Sequence, residues 1–420
     1  MEPDELAEAR AALEDFVGQV FGSLTRSDQR AKGRLYLQGL MLDGRRKSMQ
    51  PMGERLGVDY QQLQQFVSSS PWAVEPVRRQ LANIAMETIA PEAWVIDDTG
   101  FKKDGRSSPC VARQYSGTLG KVGNCQIAVS LHAATDAASC PLNWRLYVPE
   151  AWDDTCAETN EDAEKTMLRR QKAKIPDTIR HRTKWSQALE MIDEAATWGW
   201  APPAVVADAG YGDTTGFRLG LDARSIPYVL AVKASTSAYP ADAVPETVPA
   251  TGSRGRPPAP RYRDKPSSLR EIAISTGRVH RRQVTWRRGT KTGPANKLAS
   301  MTSKFLAVRV RPANRDIPLA ADGSLPEEWL ICEWPAGAAE PTDYWLSSLP
   351  ADTSLKTMVR LAKMRWRIEH DYRELKTGLG LAHFEGRTYP GWHRHVTLVT
   401  AAHLFITRLR LTRPKANGAA

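Results

Sequence analysis

The chain has 420 residues, 41% of them hydrophobic and 25% charged, enough for two or three domains with a large core. A net charge of +11 points to a polyanionic partner, which charge alone leaves open between nucleic acid and a membrane surface. No apolar run approaches the roughly 20 residues of a spanning helix. The acidic start M-E-P-D-E-L-A-E-A-R lacks the marks of a signal peptide. Five cysteines without a C-x-x-C pair predict reduced thiols in a cytoplasm, not disulfides or a zinc site.

Residues 1–90 read as an all-α DNA-binding domain. Within them, residues 49–66 (M-Q-P-M-G-E-R-L-G-V-D-Y-Q-Q-L-Q-Q-F) carry the pattern of a helix-turn-helix. Met52, Gly53, Leu56, Val58, Leu63 and Phe66 fall at the small or apolar positions, with Gly57 at the turn. The second helix would present Tyr60, Gln61, Gln62 and Gln65 to base edges. Arg45, Arg46 and Lys47 suit phosphate contacts. A plain helical hairpin gives the same pattern. Residues 74–86 form a further predicted helix.

Residues 91–233 are expected to begin the catalytic domain. An apolar run at 93–96 stops at Asp97-Asp98-Thr99-Gly100, as a strand ending in acids or as a turn would. Strands at 111–115, 125–132 and 142–148 suggest an antiparallel meander. Residues 152–176 read as loop and helix, and 183–198 as an amphipathic helix. The run Ala204-Val205-Val206-Ala207 is stopped by Asp208, Gly210 and Gly212, the mark of an inner strand whose end faces a cleft. A short helix at 214–221 and a strand at 226–232 follow.

Residues 234–340 read as a mostly β insertion without helical periodicity. Strands at 279–288 and 305–310 place Arg281, Arg282, Arg287 and Arg288 on a basic surface. Residues 251–260 are a predicted mobile loop. Residues 341–413 return to the catalytic domain, with a strand at 344–346, a helix capped by Asp352 and a closing helix at 392–411; 414–420 are a tail. The stretch M-R-W-R-I-E-H-D-Y-R-E-L-K at 364–376 is uninterrupted by Pro or Gly and reads as helix. Leu361, Met364, Ile368, Leu375 and Leu379 form its apolar stripe. Arg365, Glu369 and Lys376 form a second stripe, within roughly 40° of each other on a 3.6-residue period. A solvated face with an i,i+4 ion pair accounts for that second stripe equally well.

Two strands thus end in acids, Asp97 and Asp208, and a helix edge carries Glu369. Strand, meander, helix, strand, helix is the order of an RNase H-like α/β (α+β) fold, interrupted here by the β insertion. Three converging carboxylates repel by on the order of 4 kcal/mol per close pair. Divalent cations relieve that repulsion, and oxygen-only ligands favour magnesium or manganese. Such a site suits phosphoryl transfer with two metal ions.

The chain resembles the DDE transposases of bacterial insertion sequences, the group with a Tyr-x2-Arg-x3-Glu-x6-Lys signature. Arg365, Glu369 and Lys376 match that spacing, while Ala362 stands at the Tyr position, whose role in gripping DNA is left unfilled or moved to Tyr372. Ile96-Asp97-Asp98-Thr99 is similar to the first-acid motif, with Asp97 as metal ligand and Asp98 as its alternative. Val206-Ala207-Asp208-Ala209-Gly210-Tyr211 is similar to the second. The stretches G-F-K-K-D-G and V-A-R-Q-Y-S-G-T-L-G-K-V-G-N-C-Q also resemble one subgroup. The resemblance implies cut-and-paste transposition with two Mg2+ (or Mn2+) ions held by Asp97, Asp208 and Glu369. It implies double-stranded DNA as partner, terminal inverted repeats and target alike, and a homodimer on that DNA. It places the protein in the bacterial cytoplasm at the nucleoid, with no membrane role. Arg365 and Lys376 would hold phosphates. Trp345 resembles an aromatic that stacks a flipped base, and a core Trp on a strand is the alternative. The competing functions are a catalytically silent DNA-binding regulator and an RNase H-like nuclease that does not transpose.

Overall fold

The computed structural model describes residues 3–247, 260–288 and 300–412. The predicted loop at 251–260, except its last residue, and the tail at 414–420 lie outside them.

Helices α1 (Pro3–Val20), α2 (Ser27–Met41), α3 (Met49–Leu56), α4 (Tyr60–Ser68) and α5 (Val74–Ile89) come first. The α3–α4 pair has the predicted turn: Gly57 closes α3 with φ +66°, a left-handed conformation that glycine adopts without a Cβ penalty. Asp59 caps α4 by accepting from the Gln61 N–H at 2.9 Å. Strands β1 (Ala93–Lys102), β2 (Ala112–Ser116), β3 (Lys121–Ala134) and β4 (Ser139–Leu146) follow, then α6 (Asn160–Lys172) and α7 (Lys184–Thr197). Next come β5 (Val205–Ala207), α8 (Ala209–Gly212), α9 (Thr215–Asp222) and β6 (Tyr228–Val232). The region read as an insertion holds β7 (Ser237–Pro240), β8 (Ser267–Ser268), α10 (Leu269–Thr276), β9 (Arg282–Arg288), β10 (Ser300–Pro312) and β11 (Glu328–Glu333). Strand β12 (Asp343–Ser347) and helices α11 (Leu355–Lys363), α12 (Trp366–Arg373) and α13 (Tyr389–Thr412) complete the order.

The chain divides into two compact units, Met1–Glu92 with Ile96–Ala201 and Trp366–Ala420, and Ala93–Val95 with Pro202–Arg365. In the first unit β3 pairs antiparallel with β2 and β4. Helix α13 is its axle: every residue from Gly391 to Phe405 is buried, and α1, α2, α4, α5 and β4 pack on it. Polar groups on α13 pin the N-terminal helices. Arg394 donates to the carbonyls of Val67 (3.0 Å) and Trp72 (3.2 Å), and His395 Nδ1 meets the Tyr36 hydroxyl at 2.9 Å.

In the second unit β5 and β6 are parallel, while β6, β12, β11, β10 and β7 pair antiparallel in that order, with β9 also on β10. The sheet is therefore mixed, in a mixed α/β chain. Its core joins Val232, Leu269, Ile272, Leu306, Leu330 and Leu346.

Several expectations are corrected. Strand β1 does not stop at its acids but continues to Lys102, because Asp97 and Asp98 point to opposite faces and find polar partners there. Helix α10 breaks the expected absence of helix after residue 234, and its capping box, Ser268 with Glu271, is visible in the sequence. Ser354, not Asp352, caps α11. The expected helix over 364–376 is α12 followed by a π turn at Glu374–Gly378.

On β11, Glu328 is buried, and burial pushes its carboxyl up to about 7 against the pull of the Arg218 guanidinium. A carboxyl raised in the folded state stabilises fully below its ordinary value of 4.5 and loses that contribution as pH rises through about 7. Glu328→Gln should therefore flatten the fall in melting temperature across that window. An unchanged slope would show that Glu328 does not titrate there.

Candidate active site

Strand β1 carries the first two acids. Asp98 Oδ2 accepts from Lys184 Nζ of α7 at 2.6 Å. Asp97, 8% exposed, faces the other way, and its Oδ1 accepts from the Asp98 N–H at 2.8 Å. Asp97 acts more strongly than Asp98 on the charges of Tyr372 and Lys376. Of the two, Asp98 is held in an ion pair and Asp97 faces the residues that follow Glu369.

Helix α12 exposes Glu369 and buries Ile368 and Asp371 on its other side. Asp371, 1% exposed, anchors the helix. Ser139 Oγ of β4 donates to its Oδ1 at 2.7 Å, and His132 Nδ1 of β3 lies 3.3 Å from its Oδ2. The other His132 nitrogen meets Ser130 Oγ at 2.9 Å, and that hydroxyl meets the Tyr372 hydroxyl at 2.7 Å. Burial lowers the His132 pKa, so the ring is neutral at pH 7. The consistent proton order is then His132 Nδ1–H to Asp371, Ser130 O–H to His132 Nε2, and Tyr372 O–H to Ser130. Burial alone would raise Asp371; the His132 hydrogen bond and the neighbouring His403 ring hold it below the ordinary carboxylate range. Arg367 adds a tie, donating to Ser139 Oγ at 3.1 Å and to the Ala137 carbonyl at 2.8 Å.

Past α12 the backbone widens into the π turn, with the Leu379 N–H reaching back to the Glu374 carbonyl at 3.1 Å. Leu375 and Leu379 are both buried, while Glu374 keeps Arg410 NH1 at 2.9 Å and His403 Nε2 at 3.6 Å. The His403 hydrogen bond, opposed by burial and aided by Arg410, holds Glu374 down at about 2. Lys376 consequently leaves the regular helical wheel of Glu369. Its Nζ donates to the Gly100 carbonyl at 2.8 Å and to Thr118 Oγ1 at 3.3 Å, three residues along β1 from Asp97. Burial lowers its pKa to about 8, against the pull of the Asp97 carboxylate.

Asp208 belongs to the second unit, at the end of β5, where it caps α8 by accepting from the Gly210 N–H at 2.9 Å. Arg365 is half-buried between α11 and α12. Trp345 is 6% exposed on β12, with Lys363 Nζ 4.9 Å from its ring centroid. Arg281 donates to the carbonyls of Trp334 and Pro335 at 3.2 and 3.1 Å. Arg282 is exposed, Arg287 half-buried, and Arg288 ends β9. Arg45, Arg46, Gln61 and Gln62 are exposed. Lys47 is 4% exposed and donates to the Leu42 carbonyl, so it faces inward instead of toward a phosphate.

Carboxylates alone make up the expected donor set of Asp97, Asp208 and Glu369, a chemistry that fits a hard divalent cation. Among the described residues, no three His, Cys, Asp or Glu side chains are placed as a ready group for a metal ion.

Residues 19–293 match the family model of the DDE superfamily endonucleases. The chain belongs to that family. The match covers Asp97 and Asp208 and ends before Glu369. Nucleases of this superfamily generally use divalent metal ions. The chain is also 28% identical over 201 residues to the "Probable transposase for insertion sequence element IS701" of Microchaete diplosiphon, covering 47% of each chain. It thus spans about half the length of that relative.

Sequence reasoning did not find Lys184, Thr118 or the His132–Asp371–Ser139 contacts. No local signal pairs residues on β3 and β4 with a helix so far along the chain. Asp371→Ala should strand the Ser139 hydroxyl and the His132 N–H, each at a cost of about 1–3 kcal/mol. Chemical denaturation should read a loss of roughly 2–5 kcal/mol, and a smaller one for Asp371→Asn, which keeps an acceptor for Ser139. An unmoved midpoint in the alanine variant would dismiss Asp371 as the anchor.

Proposed function

We propose that this protein is the transposase of a bacterial insertion sequence, binding terminal inverted repeats, cutting the DNA and joining the freed 3′ end to a target. The observation that carries the reading is Lys376. Its ammonium lies at the Gly100 carbonyl, beside the strand of Asp97, although the sequence separates the two widely. An acid from β1 and a lysine from the Glu369 segment thus meet within the first unit, inside a family whose name is its three acids.

In this reading Asp97, Asp208 and Glu369 hold divalent cations, two magnesium or manganese ions by the RNase H-like pattern. What these supply when bound is activation of the attacking oxygen and stabilisation of the leaving one. Asp97 is the metal ligand in this reading, with Asp98 in an ion pair with Lys184. Lys376 and Arg365 hold phosphates beside the scissile bond; the partly buried ammonium sheds little water on meeting one. Exposed Gln61 and Gln62 of α4 read base edges, with Arg45 and Arg46 on the backbone. Exposed Arg282 and half-buried Arg287 extend the cationic surface, while the side chain of Arg288 lies outside the described ones. The active species is a homodimer pairing two DNA ends at the nucleoid.

Asp208→Asn should abolish strand cleavage and leave binding of the inverted repeat intact, by gel shift and by cleavage of a labelled end. Retained cleavage would remove Asp208 from the mechanism. A pre-cleaved end should yield joined product, and its absence would favour a nuclease that does not transpose.

Binding should be salt-sensitive. With about 6–10 phosphate contacts, affinity falls by about 10³–10⁵ between about 50 and 200 mM salt. A shallow dependence would count against the basic surface as the DNA contact.

A further inference from the structure

The hairpin of β2 and β3 carries an outward face that the core does not need. Its register sets Tyr115 opposite Val122, 63% and 51% exposed. Arg113, two residues from Tyr115 and so on the same face, is exposed; Lys121, paired with Ser116, is exposed on the other face at the start of β3. The end of the hairpin is nonetheless held firmly. Thr118 Oγ1 accepts from the Gly100 N–H at 3.2 Å and from Lys376 Nζ at 3.3 Å. Ser116 packs so closely on Gly100 that a Cβ there would stand 2.0 Å from its Oγ. An exposed tyrosine is thus carried on a pinned element that touches the lysine assigned above to the scissile phosphate.

A cation beside an open aromatic ring makes the combination that binds nucleic acid through both phosphate and base, the ring serving any base because every base has a π-face. The charge of the chain, +11, suits the same partner. We propose that the β2–β3 hairpin is a DNA-contacting finger that sets Tyr115 against a DNA base. This rests on the transposase reading. Arg113 meets a flanking phosphate, and Val122 supports the ring from across the hairpin.

The test uses the full chain, with Tyr115→Ala and Tyr115→Trp, on duplexes carrying the DNA that borders its coding region. 2-Aminopurine replaces single bases at successive positions around the cut. Wild type and the Trp variant should shift the 2-aminopurine fluorescence at one position. The Ala variant should abolish that shift and weaken binding roughly 5- to 150-fold, the loss of one base–aromatic stack. Tyr115 is exposed, so thermal melting should be unchanged. Equal fluorescence and affinity in the Ala variant would overturn the finger, as would a loss of self-association in sedimentation with DNA binding intact. The fluorescence needs no cleavage, so Asp208→Asn is measured alongside. If that variant still cleaves while Tyr115→Ala loses the signal, the catalytic assignment fails and the finger stands.

Discussion

A single buried carboxylate, Asp371, sets where the helix of Glu369 lies. It sits on the inner side of α12, and its two oxygens reach two different strands, β4 through Ser139 and β3 through His132. A buried acid without such partners would be costly; fully partnered, it fixes rotation as well as position. Apolar contacts from Ile368 alone would let the helix slide or roll. With both oxygens committed, and Tyr372 joined to the same chain of hydrogen bonds through Ser130, the outer side of α12 is determined by its inner side.

A comparable constraint governs the N-terminal helices. The α3–α4 pair is too small to stabilise itself, and it does not have to. Arg394 and His395 of α13 hold the end of α4 and the middle of α2 by hydrogen bonds that are themselves buried. Helices α1 to α5 therefore share one compact unit with the strand of Asp97 and the helix of Glu369. The exposed glutamines of α4 are presented by a scaffold whose last long helix runs through the middle of that unit.

What the sequence disclosed followed from local periodicity. The apolar stripe Leu361, Met364, Ile368, Leu375 and Leu379 is buried throughout, and the turn glycine of the α3–α4 pair has the expected positive φ. Local rules failed where distant partners decided. Asp97 and Asp98 looked like the end of a strand because acids are poor strand residues, yet Lys184 and neighbouring backbone satisfy them and β1 runs on. Lys47 looked like a phosphate ligand in a basic run, but the Leu42 carbonyl draws it inward. The capping box of α10 was readable and was obscured by the proline, glycine and arginine around it. The acids were legible as residue types, but Asp97 lies inside β1 and not at its end, and the contacts that fix Asp98 and Asp371 come from residues elsewhere in the chain.

The π turn at Glu374–Gly378 has an evolutionary corollary. Such a turn amounts to one surplus residue in an otherwise regular helix. Deleting it would give a longer and more orthodox helix, yet everything downstream would swing by about 100°. Lys376 would be carried away from the Gly100 carbonyl. Length variation in this segment should accordingly be rare among functional copies, while the loops beyond it drift in size.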